Sequence, residues 1–238
     1  FCRVYAAPNP YASGMLALLA EVLEANRGKF IGFSLGISGF SKATFLRGFE
    51  NLLLDIYEDS ARLEAVLDLI FRFENAVIEQ ALAYDIDAVQ FADDWGTQQA
   101  LMIGPAQWRE FFKPRYAAQF ARIRQAGRKV WFHSCGQVEA IIPDLMEIGV
   151  DVLELLQPDI FGIEQLGKSY GGKVCFCCSI DHQRLAMAGS RTEIEDYADR
   201  LRRNLGRDNG GFISYIEKYE SLNMDDEHYN WIKRAFLK

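Results

Sequence analysis

No run in the 238 residues approaches the roughly 18 to 20 consecutive apolar side chains that span a bilayer, and Phe1-Cys2-Arg3 does not open a secretory leader. These absences predict a soluble, cytoplasmic protein without a membrane partner. Positive charge is also scarce: 26 Lys and Arg stand against 33 Asp and Glu, for a formal net charge of -7, which argues against a nucleic-acid surface. The densest basic stretch, Arg200, Arg202, Arg203 and Arg207, sits among acids on an expected helix and reads as a solvated face. The five cysteines do not form the evenly spaced framework of a secreted disulfide scaffold, since three of them gather at Cys175, Cys177 and Cys178. Thiols or metal ligands are the better reading. There is no Pro/Ser-rich linker, low-complexity tract or clear internal repeat, so one domain over residues 1–238 is the economical expectation.

What the sequence does contain is an alternation of helical and strand-like segments. A helix is expected over Ser13–Glu24, then a strand over Lys29–Leu35 ending in a Gly/Ser-rich loop through Ser41. From about Thr44 to Ala83, apolar positions such as Leu63, Val66, Leu67, Ile70 and Phe73 recur at helical spacing, with Asp59-Ser60 restarting the helix as an N-cap. Further strands are expected at Asp87–Phe91, Lys129–Phe132, Val150–Leu156, Lys173–Cys178 and Gly211–Ile216. Helices are expected at Pro105–Gln125, Val138–Ile148 with Gly149 as C-cap, Thr192–Leu205 and Asp225–Leu237. A Thr192/Glu195 capping box is the expected start of the third of these. His228 is expected on the solvated side of the last helix.

Strands that are apolar throughout and separated by helices imply a parallel sheet covered on both faces. No Gly-x-Gly-x-x-Gly joins a strand to a helix, so the dinucleotide form of the open doubly wound sheet loses its signature. Polar residues follow nearly every strand instead, which fits a (β/α)8 TIM barrel with its chemistry on one rim. Six strands are visible and the chain begins at Phe1, so the expectation is a barrel whose first two strands lie upstream.

Three rim stretches carry candidate chemistry. Asp93 and Asp94 stand just past a strand end; adjacent acids point in different directions in extended chain, so one is free to face the mouth while the other caps a helix or meets an arginine. His133 and Cys135, at spacing two, leave an extended backbone on the same side, as two ligands of one tetrahedral zinc require. The alternative is a hydrogen-bonding His beside an inert buried Cys. Cys175 and Cys177 share a strand face and Cys178 takes the other, while Glu154 and Glu217 are acidic candidates for a third ligand. Arg47, Tyr57 and Gln157 complete the polar set.

The order of the motifs carries a resemblance. Leu46-Arg47-Gly48-Phe49-Glu50-Asn51-Leu52-Leu53, Asp93-Asp94-Trp95-Gly96-Thr97-Gln98, His133-Ser134-Cys135-Gly136, Ile148-Gly149-Val150-Asp151 and Ser179-Ile180-Asp181 together resemble the uroporphyrinogen decarboxylase (URO-D) superfamily over nearly the whole chain. The resemblance implies a (β/α)8 barrel, amino-terminally incomplete here, and an enzyme of one of two kinds. The decarboxylases act on a tetrapyrrole without metal or cofactor, using an early-strand Asp, a Tyr that Tyr57 resembles, and a late His that Gly211–Glu217 lacks. The cobalamin-linked methyltransferases bind zinc through a His-x-Cys pair like His133 and Cys135 plus a later Cys; here the last strand offers Tyr215 and Glu217, so Cys177, Cys178, Glu154 or Glu217 would substitute.

The leading expectation is therefore a zinc-dependent methyltransferase using a corrinoid as donor or partner, with a corrinoid protein as a candidate partner. Asp93, Asp94 and Tyr57 are its catalytic candidates, and Gln98, Gln157, Asp181 and Tyr215 bind the substrate. A homodimer is a candidate assembly.

Overall fold

A computed structural model of the chain describes residues 8–12, 16–206, 211–216 and 224–237. Six strands, β1 (Gly32–Ile37), β2 (Ala88–Ala92), β3 (Lys129–Ser134), β4 (Val152–Leu155), β5 (Cys175–Cys178) and β6 (Phe212–Ser214), follow one another in the sheet in chain order. The β1·β2, β2·β3, β4·β5 and β5·β6 pairs are parallel. A doubly wound sheet reverses its strand order at a switch point, where dinucleotides bind. An unreversed order with intervening helices is that of a β/α barrel wall.

The helices are α1 (Leu19–Ala25), α2 (Gly39–Arg47), α3 (Phe49–Glu58), α4 (Ser60–Ala81), α5 (Pro105–Gln107), α6 (Lys113–Gln125), α7 (Ile142–Glu147), α8 (Ile163–Tyr170), α9 (Leu185–Ala188), α10 (Arg191–Leu205) and α11 (Asp226–Phe236). A π-helical turn over Trp108–Phe112 joins α5 to α6. The bounds of all six strands lie within three residues of those expected. Asp59 caps α4 as expected, its carboxylate accepting the Arg62 N–H at 3.1 Å.

The chain forms two compact units. The first comprises Phe1–Trp95, Leu101–His133 and Ala140–Val150 and holds β1 to β3 with α1 to α7. Along α4, Leu63, Val66, Leu67, Ile70, Val77 and Ile78 are buried at helical spacing; each such side chain contributes about 1.5–3 kcal/mol against exposure. Under the sheet, Phe91, Phe120, Phe132 and Tyr116 pack as an aromatic group with ring centroids 5.1 to 6.3 Å apart, a geometry favourable beyond the area buried. The Leu46–Leu53 motif has a structural role here. Gly48, at φ 84°, turns the chain between α2 and α3, and Arg47 holds the buried Asp55 at 2.6 Å.

The second unit comprises Gly96–Ala100, Ser134–Glu139 and Asp151–Lys238, and holds β4 to β6 with α8 to α11. Its core includes Ile163, Leu166, Phe176, Ile194, Leu201, Leu205 and Ile232.

Four local expectations are corrected. The Gly/Ser-rich stretch is not loop through Ser41; α2 opens at Gly39, because carboxylates far off in the sequence satisfy its first N–H groups. The capping box of α10 is Ser190/Glu193 rather than Thr192/Glu195: the Ser190 hydroxyl accepts the Glu193 N–H and the Glu193 carboxylate accepts the Ser190 N–H at 2.8 Å. Glu195 instead meets Arg191 at 2.9 Å, one helical turn away. Helix α8 stands where no helix was expected, and His228 is mostly covered, its Nδ1 2.8 Å from the cap residue Asp225.

Candidate functional site

The C-terminal end of β2 separates the two aspartates. Asp93 is fully buried. Its carboxylate accepts the N–H groups of Phe40 at 3.0 Å and Ser41 at 2.7 Å, and the Tyr116 hydroxyl. It therefore sits at the positive end of α2, where a carboxylate satisfies donors the helix leaves open. Burial pushes its pKa up to about 7, against the hydrogen bonds from Tyr116, Ser41 and Phe40, which pull it down. Beside it, the buried Glu74 of α4 accepts the Gly39 N–H at 3.1 Å and the Lys42 ammonium at 2.8 Å. Gly39 has φ 46°, and a Cβ there would overlap the Tyr116 hydroxyl and the Asp93 carboxylate, so this junction requires glycine.

Asp94 takes the other direction and is half exposed, with its Oδ1 3.5 Å from His133 Nε2. His133 pairs in register with Ala92 across β2 and β3, and its carbonyl accepts the Asp93 N–H at 3.1 Å. Two residues further on stands Cys135. The ligand atoms of Asp94, His133 and Cys135 lie within 4.8 Å of one another, and they form the potential metal-binding group found among the described residues. A tetrahedral ion with bonds of about 2.0–2.3 Å has ligands about 3.3–3.8 Å apart, so the Asp94–His133 spacing suits it. A sulfur, an imidazole nitrogen and a carboxylate oxygen are a donor set that zinc accepts, and three protein ligands are the number found in catalytic rather than structural zinc sites.

Two glycines set the chain that follows these residues. Gly136 has φ 76°, and its Cβ position would overlap the Gly96 carbonyl oxygen and lie 2.6 Å from Gly96 Cα. A Cβ on Gly96 would in turn come 2.5 Å from the Gly136 carbonyl carbon. This close backbone approach carries two hydrogen bonds, Gly96 N–H to the Cys135 carbonyl at 3.1 Å and Gln137 N–H to the Thr97 carbonyl at 2.7 Å.

The expected third ligands Cys177 and Glu154 do not belong to that group among the described residues, and Glu217 lies outside the described residues. Asp94, expected to be catalytic, is the third member of that group. Glu154 and Cys177 are register partners on β4 and β5. Burial, with the nearby Glu154 charge, pushes the Cys177 thiol far up; burial also raises Cys178 strongly and Cys175 less. Such thiols stay protonated and behave as small apolar residues.

Of the other expected residues, Gln98 and Gln157 are brought together, Gln98 Nε2 donating to Gln157 Oε1 at 3.1 Å. Gln157 and Asp181 line one polar cavity of about 300 Å3 with Asp159, Arg184, Tyr197 and Arg200. Asp181 also accepts the Gln183 N–H at 2.8 Å, an Asx turn just past β5. The Tyr215 ring stands edge-on to His182 with centroids 6.3 Å apart. Tyr57 is exposed, and its hydroxyl accepts the Gly104 N–H at 3.1 Å, pinning the turn ahead of α5. Sequence reasoning missed Ser41, Glu74 and Tyr116. Their only sequence signal was the Ser38-Gly39-Phe40-Ser41 run after β1, since Glu74 and Tyr116 lie in other helices.

No curated protein matches the sequence. Among solved structures, a methyltransferase from Methanosarcina mazei is similar with a TM-score of 0.68 at 16% identity. The match covers 91% of this chain and 61% of that one, so the chain spans under two thirds of the methyltransferase, and the likeness concerns the fold. The family model for uroporphyrinogen decarboxylase (URO-D) matches residues 7–216. A family match over most of its length makes this chain a member of the uroporphyrinogen decarboxylase (URO-D) family.

Proposed function

We propose that the protein is a methyltransferase of this family that holds Zn2+ through Asp94, His133 and Cys135 and passes a methyl group from a corrinoid or a methylated small molecule to a thiol. The observation that carries the reading is the convergence of one carboxylate, one imidazole and one thiol at the ends of neighbouring strands. Zinc bound there would lower the pKa of an acceptor thiol so that it reacts as thiolate. The attacking sulfur would take the methyl carbon, and the electron pair of the broken bond would stay with the donor.

The chain's own residues supply binding and orientation. Gln98 and Gln157 present an amide pair whose remaining donors and acceptors suit a polar substrate group. Gln157 also lines the polar cavity that Asp181 shares. The three-residue donor set favours this reading over metal-free decarboxylation, in which Tyr57 would assist; here its hydroxyl already accepts the Gly104 N–H.

Metal analysis tests the proposal. Purified protein is expected to carry one equivalent of zinc, which Cys135→Ser, His133→Ala and Asp94→Ala each lose in large part. Absence of zinc from the wild type, or turnover of uroporphyrinogen by metal-stripped protein, would replace this reading with the decarboxylase one.

A further inference from the structure

We infer that Ser41 is a positioning residue that sets the direction of Asp94 toward His133. The inference rests on Asp94 being a metal ligand, as proposed above. Ser41 bonds to both aspartates at once: its backbone N–H donates to Asp93 Oδ1 at 2.7 Å, and its Oγ accepts the Asp94 N–H at 2.9 Å. The Asp93 N–H is tied to the His133 carbonyl at 3.1 Å. The peptides on either side of Asp93 are thus each held, the one that leads into Asp94 by the first turn of α2 and the one before it by β3. Its Oδ1 then stands 3.5 Å from His133 Nε2.

The anchor itself is rigid. Asp93 is fully buried and also accepts the Phe40 N–H and the Tyr116 hydroxyl, while Glu74 takes the Gly39 N–H. The first three N–H groups of α2 are therefore all spoken for, so the helix cannot slide relative to the end of β2 without leaving buried carboxylates unpaired. Ser41 is the member of this junction whose side chain reaches the backbone of Asp94. Without its hydroxyl the Asp94 peptide loses its fixed orientation, although every backbone bond of the first turn of α2 remains. Groups that orient a ligand in this way typically affect metal affinity about 10–100-fold.

The test measures Zn2+ affinity by competition with a chromophoric chelator, and the visible spectrum of the Co2+-loaded full chain, for wild type, Ser41→Ala, Ser41→Thr, Asp94→Ala and the Ser41→Ala/Asp94→Ala double variant. Circular dichroism checks that each is folded. Ser41→Ala is expected to bind Zn2+ about 10–100-fold more weakly with an altered Co2+ spectrum. Ser41→Thr, which keeps the hydroxyl, restores binding. The double variant binds no more weakly than Asp94→Ala alone, because Ser41 acts through Asp94.

Wild-type affinity in Ser41→Ala, alongside weakened Asp94→Ala, would overturn the positioning role and leave the metal site standing. Additive losses in the double variant would also overturn it, by showing that Ser41 acts elsewhere. A wild type that binds no Zn2+, or an Asp94→Ala variant that binds it normally, would remove the metal reading and this inference with it.

Discussion

Replacing Gly136 by alanine should damage the protein in a way that separates two costs usually confounded. Gly136 and Gly127 have nearly equal φ values, 76° and 74°. Placing an alanine in that left-handed region costs about 1–2 kcal/mol at either position. Around Gly127 a Cβ would meet nothing within 4 Å, so Gly127→Ala should cost that amount and little else. Around Gly136 the new methyl would overlap the Gly96 carbonyl oxygen, a backbone atom that cannot rotate away.

The two segments must then separate, which breaks or stretches Gly96 N–H to Cys135 O and Gln137 N–H to Thr97 O. At about 0.5–1.5 kcal/mol per bond, the added loss is roughly 1–3 kcal/mol, for a total of roughly 2–5 kcal/mol. Urea denaturation of the two variants against wild type measures the difference, with an unchanged m-value showing that only the folded state has moved. Equal destabilisation of Gly127→Ala and Gly136→Ala would refute the claim that close backbone approach, rather than φ alone, demands glycine after Cys135.

Ser190→Ala should cost about 1 kcal/mol by removing the cap of α10, whereas Thr192→Ala should stay within about 0.5 kcal/mol; thermal melts distinguish them, and the reverse order would restore the cap expected from sequence. Asp144 supplies a pH-dependent case. Burial pushes its carboxyl up, but hydrogen bonds from Arg109 and Lys113, with their charges, together hold it below the ordinary carboxylate range. A depressed folded-state pKa gives stability that is present above the unfolded value, near pH 4, and lost as pH falls toward the folded one. The stability gap between wild type and Asp144→Asn should therefore shrink from pH 7 to pH 3 in urea titrations. A gap that stays constant with pH would deny the ion pairs their part.

Where local rules suffice, the sequence was legible. The long helical spacing of Leu63, Val66, Leu67 and Ile70 appears as the buried face of α4, and Asp59 caps it. Strand positions followed from apolar runs bounded by polar rim residues, because a strand covered on both faces must be apolar throughout. The reading failed at α2, whose Gly- and Ser-rich opening has no helical propensity to speak of and is held by Asp93 and Glu74, 52 to 53 and 35 residues away. It also chose the wrong cap for α10, since Thr192 and Glu195 have nearly the same spacing signature as Ser190 and Glu193 and only the backbone at Ser190 leaves the helix.

The site divides along the same line. His133 and Cys135 could be paired from sequence because alternation along an extended chain puts both on one side, a rule of one strand alone. Alternation also says that Asp93 and Asp94 diverge, yet it cannot say which one turns inward. That was decided by the packing of α2 and Tyr116 at the end of β2, which buries Asp93 and leaves Asp94 beside His133. The third member of the donor set was likewise beyond a linear reading, which looked for it on later strands. Asp94 and His133 are 39 positions apart in the chain, and only the parallel register of β2 and β3 brings their side chains within reach.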